Sequence, residues 1–299
     1  MARNADEGQL ALKPRLRLHS PAGSFRPARK TGENIILIFQ RLWQVNWAEQ
    51  WQYRANLLMY LLYWLVSPII YLAVWTSIAN TKGDVNGFTA NDFITYYMVL
   101  LICDQVTSNI IIFTTGYKIQ DGTLSGELIR PIHPILTNAL VNNIAFKALT
   151  ILGLVPIWVI LFFAFKPDFS GVTLNGILIS IPAMILGFFI NYLISAAVTS
   201  LAFWTTRSHS VHEFYYALIL LFSGQFVPLS LMPKVIQEIA QYLPFQLLMY
   251  FPIQSILGKL SAGQIVQGYV MGGVWFVLSM VLFNWVWRNG VKRFSAVGA

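Results

Sequence analysis

The sequence predicts an all-α integral membrane protein with six transmembrane helices. Hydrophobic residues make up 56% of its 299 residues and charged residues only 11%, whereas soluble domains carry about 25% charged residues. A soluble protein of this size could not hide so much apolar surface, because much of its exterior must face water. A helical span needs about 20 apolar residues. The chain therefore has room for about six spans, and its composition excludes an ordinary soluble enzyme and a disordered chain.

The N-terminal 32 residues are polar, basic and interrupted by prolines. They lack the apolar core of a cleavable signal peptide. We expect residues 1–32 to form a disordered cytoplasmic tail that is held near anionic lipid headgroups.

Residues 33–54 carry an aromatic stripe, in which Trp43, Trp47 and Trp51 recur every four residues with polar side chains on the other faces. A helix with this pattern suits the headgroup boundary. We therefore predict an amphipathic elbow helix anchored to the membrane surface by the three tryptophans. The alternative is a helix packed on another helix of the protein.

The remainder, residues 55–293, contains six apolar stretches separated by polar connections. Pro68 should kink the first of them. Residues 234–259 are apolar but interrupted by Pro244 and Pro252, which predicts short re-entrant helices in the outer leaflet before the last span. Residues 294–299 form a C-terminal tail. The predicted spans are residues 57–78, 93–113, 148–165, 174–204, 214–231 and 265–286.

The net charge of +8 fits the positive-inside bias of a membrane protein and needs no nucleic-acid partner. With the N-terminus in the cytoplasm, the inner segments hold 16 of the 20 Lys and Arg residues. This count includes Lys118, Arg130 and Lys147 in the stretch between the second and third spans. The asymmetry predicts that both termini are cytoplasmic.

The polar stretch 114–147 is too long for a simple hairpin. It contains a turn at Asp121–Gly122, then apolar residues, and then Pro131 and Pro134, which can stop one helix and start the next. We predict a short helix that lies along the cytoplasmic membrane surface and is joined rigidly to two spans. An ordered loop without a coupling role is the alternative.

A motif in this stretch resembles a known family. It comprises Gly122, Leu124, Leu128, Ile129, Arg130, Pro131 and Pro134, followed by Asn142, Asn143, Phe146 and Lys147. The pattern and the layout of residues 33–293 are similar to the permease subunits of type-2 ATP-binding-cassette (ABC) exporters, and closest to the group associated with multidrug and viologen export.

The resemblance implies a transport subunit of a bacterial plasma (inner) membrane, working in a dimer with a second, identical or related permease. A separate nucleotide-binding ATPase subunit would bind ATP and Mg²⁺ and would dock on residues 121–134. The residues implied in coupling are Gly122, Leu124, Leu128, Arg130, Pro131 and Pro134. The substrate would be hydrophobic or amphipathic.

The chain has no sequence of the form GxxxxGK[ST], which a P-loop needs in order to cradle phosphates. It is therefore not expected to hydrolyse ATP, and we predict no catalytic residue, metal site or cofactor in it. The single cysteine, Cys103, is expected to be a small packing residue.

Asp104 is the only acidic residue deep inside a predicted span. A charge in lipid is costly, so such a residue usually faces protein or a water-filled path. It could contact a cationic substrate, or it could be a neutral, hydrogen-bonded acid. The candidate pathway residues are Asp104, Asn191, Tyr216 and Gln225.

Two other functions use the same residues. A lipid-acting membrane enzyme would use Asp104 or the group His209, His212 and Glu213, and a proton-coupled carrier would use Asp104 as its relay. The histidines are predicted at the inner membrane boundary and Asp104 in mid-membrane, about 15 Å apart by the half-thickness of the bilayer core. This separation argues against one catalytic site.

Overall fold

The computed structural model of the chain describes residues 31–205 and 208–294. Within these ranges the protein consists of helices and connecting turns, with one isolated bridge between Val85 and Phe88 and no strand. The predicted N-terminal tail lies outside the described residues, apart from its last two, which already belong to a helix. Residues 295–299 of the predicted C-terminal tail also lie outside them.

Helix α1, Thr31–Gln52, packs along a later helix, α6 (Leu140–Phe165). Asn46 is buried, and its side-chain oxygen accepts a hydrogen bond of 2.8 Å from the Asn142 amide. The rings of Trp43 and Trp47 stack at 5.6 Å, and Trp51 is exposed. One face of α1 therefore contacts protein, as in the alternative above, while the tryptophan stripe beside it is free to anchor the helix to lipid.

Five helical segments are long and apolar enough to cross a membrane: Arg54–Lys82, Ala90–Gln120, Pro134–Phe165, Leu174–Phe203 and Ala262–Val291. The first is α2 and the last is α11. The fourth consists of α7, Leu174–Ser200, and a short 3-10 turn, Leu201–Phe203. These segments confirm the all-α membrane fold.

The predicted fifth span is shorter than expected. Helix α8 covers Ser208–Phe222 and stops nine residues before the predicted end at 231. The next residues adopt a non-helical path in which Gly224 has φ +85°. Two hydroxyls of helix α3, Ala90–Thr107, supply partners for this backbone. Tyr96 donates to the Gly224 carbonyl and Tyr97 to the Phe226 carbonyl, both at 2.7 Å. The six-span layout therefore stays a prediction.

The second crossing segment is discontinuous. Helix α3 covers Ala90–Thr107, residues 108–110 are not helical, and a π-helical turn, Ile112–Gly116, leads into α4, Tyr117–Gln120. The sequence predicted an unbroken span that ended at residue 113.

The connection between the second and third spans is shorter than the predicted loop 114–147. Only residues 121–133 lie outside the two long helical segments, and they contain the one-turn helix α5, Ser125–Leu128. The third segment already starts with a π-helical turn, Pro134–Ala139, because the His133 side chain caps it and proline fits the first helical position. We call residues 121–133 the coupling turn, after the role that the family resemblance implies for them.

Residues 234–259 form short helices, as predicted: α9, Lys234–Ala240; a 3-10 turn, Pro244–Leu247; and α10, Tyr250–Ile256. They pack on α7 at two glycines. A Cβ atom at Gly187 would lie 2.6 Å from the Leu247 carbonyl oxygen, and one at Gly176 would collide with the Ser255 carbonyl. Only glycine allows these backbones to approach so closely.

The helices differ in how much of them is covered by protein. The most apolar window of Ala90–Gln120 is 67% buried and that of Leu174–Phe203 is 50% buried, against 17% for the Pro134–Phe165 and Ala262–Val291 segments. The segments built on α3 and α7 are therefore central, whereas those built on α6 and α11 are peripheral. Cys103 of α3 is a buried free thiol in the central core.

Candidate transport site and coupling turn

The four candidate pathway residues lie around one cavity. Asp104 of α3, Asn191 of α7, Tyr216 of α8 and Gln225 all line it. Its volume is about 30 Å³, which exceeds the roughly 10–15 Å³ that one water molecule needs and is far below the roughly 300 Å³ of a small-molecule site. The site is therefore narrow at this level, although its walls carry many polar groups.

A hydrogen-bonded network ties the cavity walls together at the break in α3. The Asn191 amide donates to the Thr107 carbonyl at 2.9 Å, and its side-chain oxygen accepts from the Tyr215 hydroxyl at 2.8 Å. The Asn109 amide donates to the Ser195 hydroxyl at 3.0 Å. Three helices are thereby fixed to one another by buried polar groups, which is costly to arrange unless each group has a partner.

Gln225 has an unusual position. Its side chain is 1% exposed, yet its Oε1 atom has no hydrogen-bond partner. Asp104 lines the same cavity and is 4% exposed. A buried acceptor without a donor costs free energy because it has lost its hydrogen bonds to water. A water molecule or a donor group of a ligand in this cavity would therefore be stabilised by a hydrogen bond to Gln225.

Lys147 of α6 has a position that the sequence analysis did not reveal. The charge count places it in the inner polar stretch 114–147, but its side chain is buried, and Nζ donates to the Gln105 carbonyl at 2.7 Å and to the Ser108 hydroxyl at 3.3 Å. The spacing of Asn143, Lys147 and Thr150 could have revealed it, because residues four and three apart share one helix face.

His212 and Asp104 line the same cavity, which runs along α8 from His212 to Ile219. The predicted separation between the histidines and Asp104 stays a prediction. The side chain of His209 lies outside the described residues. Among the described residues, no group of three or more acidic, histidine or cysteine side chains could hold a metal ion, and a cavity of about 30 Å³ does not admit a lipid headgroup.

A larger groove of about 570 Å³ adjoins the cavity. This volume is in the range of small-molecule sites, about 300–1,000 Å³. The groove runs between α2 and α8 and shares Trp64, His212 and Tyr216 with the cavity. Its lining is mostly aromatic and apolar: Asn56, Met59, Tyr60, Tyr63, Trp64, Ile110, Phe113, His212, Glu213 and Tyr216.

The coupling turn divides into residues that face the bundle and residues that face outward. Leu124 is fully buried and Leu128 packs against the same core cluster. Gly122 has φ +81°, a conformation that favours glycine. Arg130 and Pro131 are exposed. Pro134, at the start of the next helical segment, is buried.

The most exposed apolar side chain of the turn is Ile129, at 86%. It was part of the sequence motif but was not selected as a coupling residue. A salt bridge of 2.7 Å between Lys118 of α4 and Glu127 of the turn joins the turn to the preceding helix.

The acidic residue at the beginning of the turn supports its shape. The Asp121 carboxylate accepts hydrogen bonds from the Thr123 hydroxyl at 2.8 Å and the Thr123 N–H at 3.2 Å. These bonds hold the pKa of the Asp121 carboxyl below its usual value. The carboxylate is therefore ionised at neutral pH and locks the turn that precedes Ile129.

A comparison with protein families decides the assignment. The model of a family described as "ABC-2 family transporter protein" matches residues 54–298. The chain belongs to this family. The ABC-2 assignment confirms the resemblance to type-2 ABC permeases and makes the protein a multi-pass transmembrane subunit of an ABC transporter, a transport component that is not itself catalytic. Among curated proteins, no sequence matches the chain.

Proposed function

We propose that this ABC-2 permease is the transmembrane subunit of an exporter for hydrophobic or amphipathic compounds, of the multidrug and viologen-export type. It works in the bacterial inner membrane with cytoplasmic termini and is driven by a separate ATPase subunit that binds ATP and Mg²⁺. The observation that carries the proposal is the coupling turn, which joins two crossing segments and presents one fully outward apolar side chain, Ile129.

The coupling turn is suited to transmit force. Its buried side, with Leu124, is fixed to the core. Its two ends continue directly into Tyr117–Gln120 and Pro134–Ala139. When ATP binding closes the motor dimer, a push on Ile129 and Arg130 moves both helices, because packed helices shift as rigid units and not as deformable ones.

The substrate path begins at the aromatic groove between α2 and α8. Tyr60, Tyr63 and Trp64 offer ring faces to an amphipathic molecule, and such faces attract cations. Glu213 lies in the groove and Asp104 in the adjoining cavity. A cationic head would therefore be drawn toward Asp104. The substrate leaves outward past residues 234–259.

A second permease completes the path. Tyr63 is 74% exposed and Met59 is 67% exposed on the groove face of α2. One chain leaves the groove open on that side, and a second copy or a related permease would close it.

The coupling role is tested by Ile129→Asp in the complex with the ATPase subunit. We expect the ATPase subunit to be lost on purification, or its ATP hydrolysis to become uncoupled from export, because a charge replaces the apolar contact. The loss of one central apolar contact costs about 2 kcal/mol or more, which is roughly a thirtyfold weaker association.

Val235→Asp is the matched control, because Val235 is also exposed (64%) but lies on α9, at the predicted outer side. It should leave the association with the ATPase unchanged. Normal association and normal export in Ile129→Asp, with both variants inserted in the membrane, would contradict the proposed coupling turn.

A further inference from the structure

The break in α3 is built from side chains of two other helices. Ser108 has an extended backbone with ψ 168°, so the helix ends there and resumes three residues later. A helix that ends leaves carbonyl groups without intrahelical partners. Inside an apolar bundle each of these groups needs another donor.

Two side chains supply donors to the freed carbonyls. Asn191 of α7 bonds the Thr107 carbonyl at 2.9 Å, and Lys147 of α6 bonds the Gln105 carbonyl at 2.7 Å. On the other side of the break, the Ile111 N–H donates to Asn109 Oδ1 at 3.3 Å. The ammonium group also sits at the negative end of the α3 dipole, which favours a positive charge.

Burying the charged side chain of Lys147 at this position costs free energy. Its side chain is buried, with Nζ 5.3 Å from the centre of the Phe188 ring. A charge inside a membrane protein is costly and usually marks a functional element. An uncharged amide could make the same hydrogen bond, as Asn191 does. The second charge in the region is Asp104, one turn before the break, which interacts electrostatically with Lys147.

Asn143 lies one turn before Lys147 on α6 and is 1% exposed, yet neither its side-chain nitrogen nor its oxygen has a partner. It lines a space of about 10 Å³ together with Lys147, Ser108 and Asn109. That space approaches what one water molecule needs. The break therefore has room and polar groups for a bound water beside the lysine.

The two helical segments that the coupling turn connects lie next to each other at this break. One is the inner part of the second crossing segment, which ends at Gln120. The other is the Pro134–Phe165 segment, in which Lys147 lies about 20 Å along the helix from Pro134. A displacement of the turn therefore acts on both sides of the bond between Lys147 and Gln105.

We propose that Lys147 is a positioning residue that latches the broken conformation of α3, so that movement of the coupling turn reaches the Asp104 cavity through this latch. In the latched state Asp104 faces a cavity for one water. Release of the ammonium from the Gln105 carbonyl lets α3 re-form and turns Asp104. The proposal rests on the coupling role proposed above for residues 121–133.

The first test compares Lys147→Met with Lys147→Arg in the reconstituted complex with its ATPase subunit. With Met, export per ATP hydrolysed should fall about tenfold, the effect of losing one charge-assisted hydrogen bond, while ATP hydrolysis continues. Arg keeps the charge and the donors and should restore most of the coupling. Lys82→Met, at an exposed lysine, should behave as wild type. Unchanged export per ATP in Lys147→Met would overturn the latch.

The double variant Asp104→Asn with Lys147→Met separates two roles of the lysine. If Lys147 only neutralises Asp104, removing both charges restores coupling. If it latches the Gln105 carbonyl, the double variant stays as defective as Lys147→Met. Restored coupling in the double variant therefore overturns the proposal.

A distance measurement tests the latch without transport. Spin labels at Asn91→Cys and Tyr117→Cys, both exposed, report on the two halves of the segment in a Cys103→Ala background. Lys147→Met should broaden or shift the distance distribution, and Lys147→Arg should not. Identical distributions in all three proteins would overturn the latch. Failure of the exporter assignment would instead appear as an absence of export in the wild-type complex.

Discussion

The central segment Ala90–Gln120 and the peripheral segment Ala262–Val291 have similar lengths but opposite designs. The central one is interrupted, carries Asp104 and is held by hydrogen bonds from α6 and α7. The peripheral one is a single uninterrupted helix whose outward face is apolar. A segment surrounded by protein can afford polar groups and irregular backbone, because neighbouring helices supply partners that lipid cannot.

The largest effect that would test this comparison is expected at a central glycine. Gly187→Leu should lower the free energy of unfolding by about 3 kcal/mol or more, since the new side chain meets the Leu247 backbone, which cannot move aside as a side chain can. Thermal unfolding of the purified protein in detergent measures it.

Gly273→Leu, on peripheral α11, is the control for that substitution. No atom lies within 4 Å of a Cβ there, so the unfolding temperature should stay the same or rise through better helix propensity. Equal losses at the two glycines would remove the distinction between central and peripheral helices.

A medium effect is expected at the centre of the polar network. Asn191→Ala leaves the Thr107 carbonyl and the Tyr215 hydroxyl without their partner. It should cost about 2 kcal/mol, at the upper end of what polar contacts contribute in membrane proteins. Chemical denaturation in mixed micelles measures the difference.

Asn284→Ala provides the comparison on α11, where the amide bonds only its own helix, at the Met280 carbonyl. Its loss should be less than about 0.5 kcal/mol, as for ordinary surface positions. A similar cost for both asparagines would show that the network adds nothing to the central helices.

The smallest effect concerns the start of the peripheral α6 segment. His133 Nδ1 accepts hydrogen bonds from the N–H groups of Ile135 and Leu136, both at 3.2 Å, and burial lowers the pKa of this imidazole. The cap therefore needs neutral His133. Its contribution is present above the ordinary pKa of about 6.5 and is lost as the pH falls through the lower value of the folded protein.

The cap is worth about 1 kcal/mol, and the amide protection factors of residues 134–139, each relative to the intrinsic exchange rate at the same pH, measure its loss between pH 7.5 and pH 5. His133→Asn keeps a capping oxygen that does not titrate, so its protection factors should depend less on pH. An identical acid response in both proteins would show that another group is responsible.

Much of the fold could be predicted from composition and periodicity. The apolar stretches, the elbow helix with Trp43, Trp47 and Trp51, and the short helices between residues 234 and 259 are local patterns. Each follows from the length of an apolar run or from the position of a proline. The position of the turn at residues 121–133 could also be predicted, because Gly122 favours a turn and the prolines interrupt helices.

The internal polar architecture could not be predicted in the same way. The charge count places Lys147 in the inner polar stretch 114–147, and the apolar run that Pro228 and Pro233 end extends the predicted fifth span to residue 231. Both differ from the structure for one reason: the cost of a buried charge or a broken helix depends on partners that are distant in sequence, such as Gln105 for Lys147 and Tyr96 for Gly224.

The sequence by itself determined that the chain lies in a membrane and that it crosses several times. Only the tertiary structure decided which spans are central, where α3 breaks, and that Asp104, Asn191, Tyr216 and Gln225 share one cavity. The length of an apolar run predicts whether a segment can span the membrane, because it depends only on neighbouring residues. Polar contacts between helices exist only once the helices have packed.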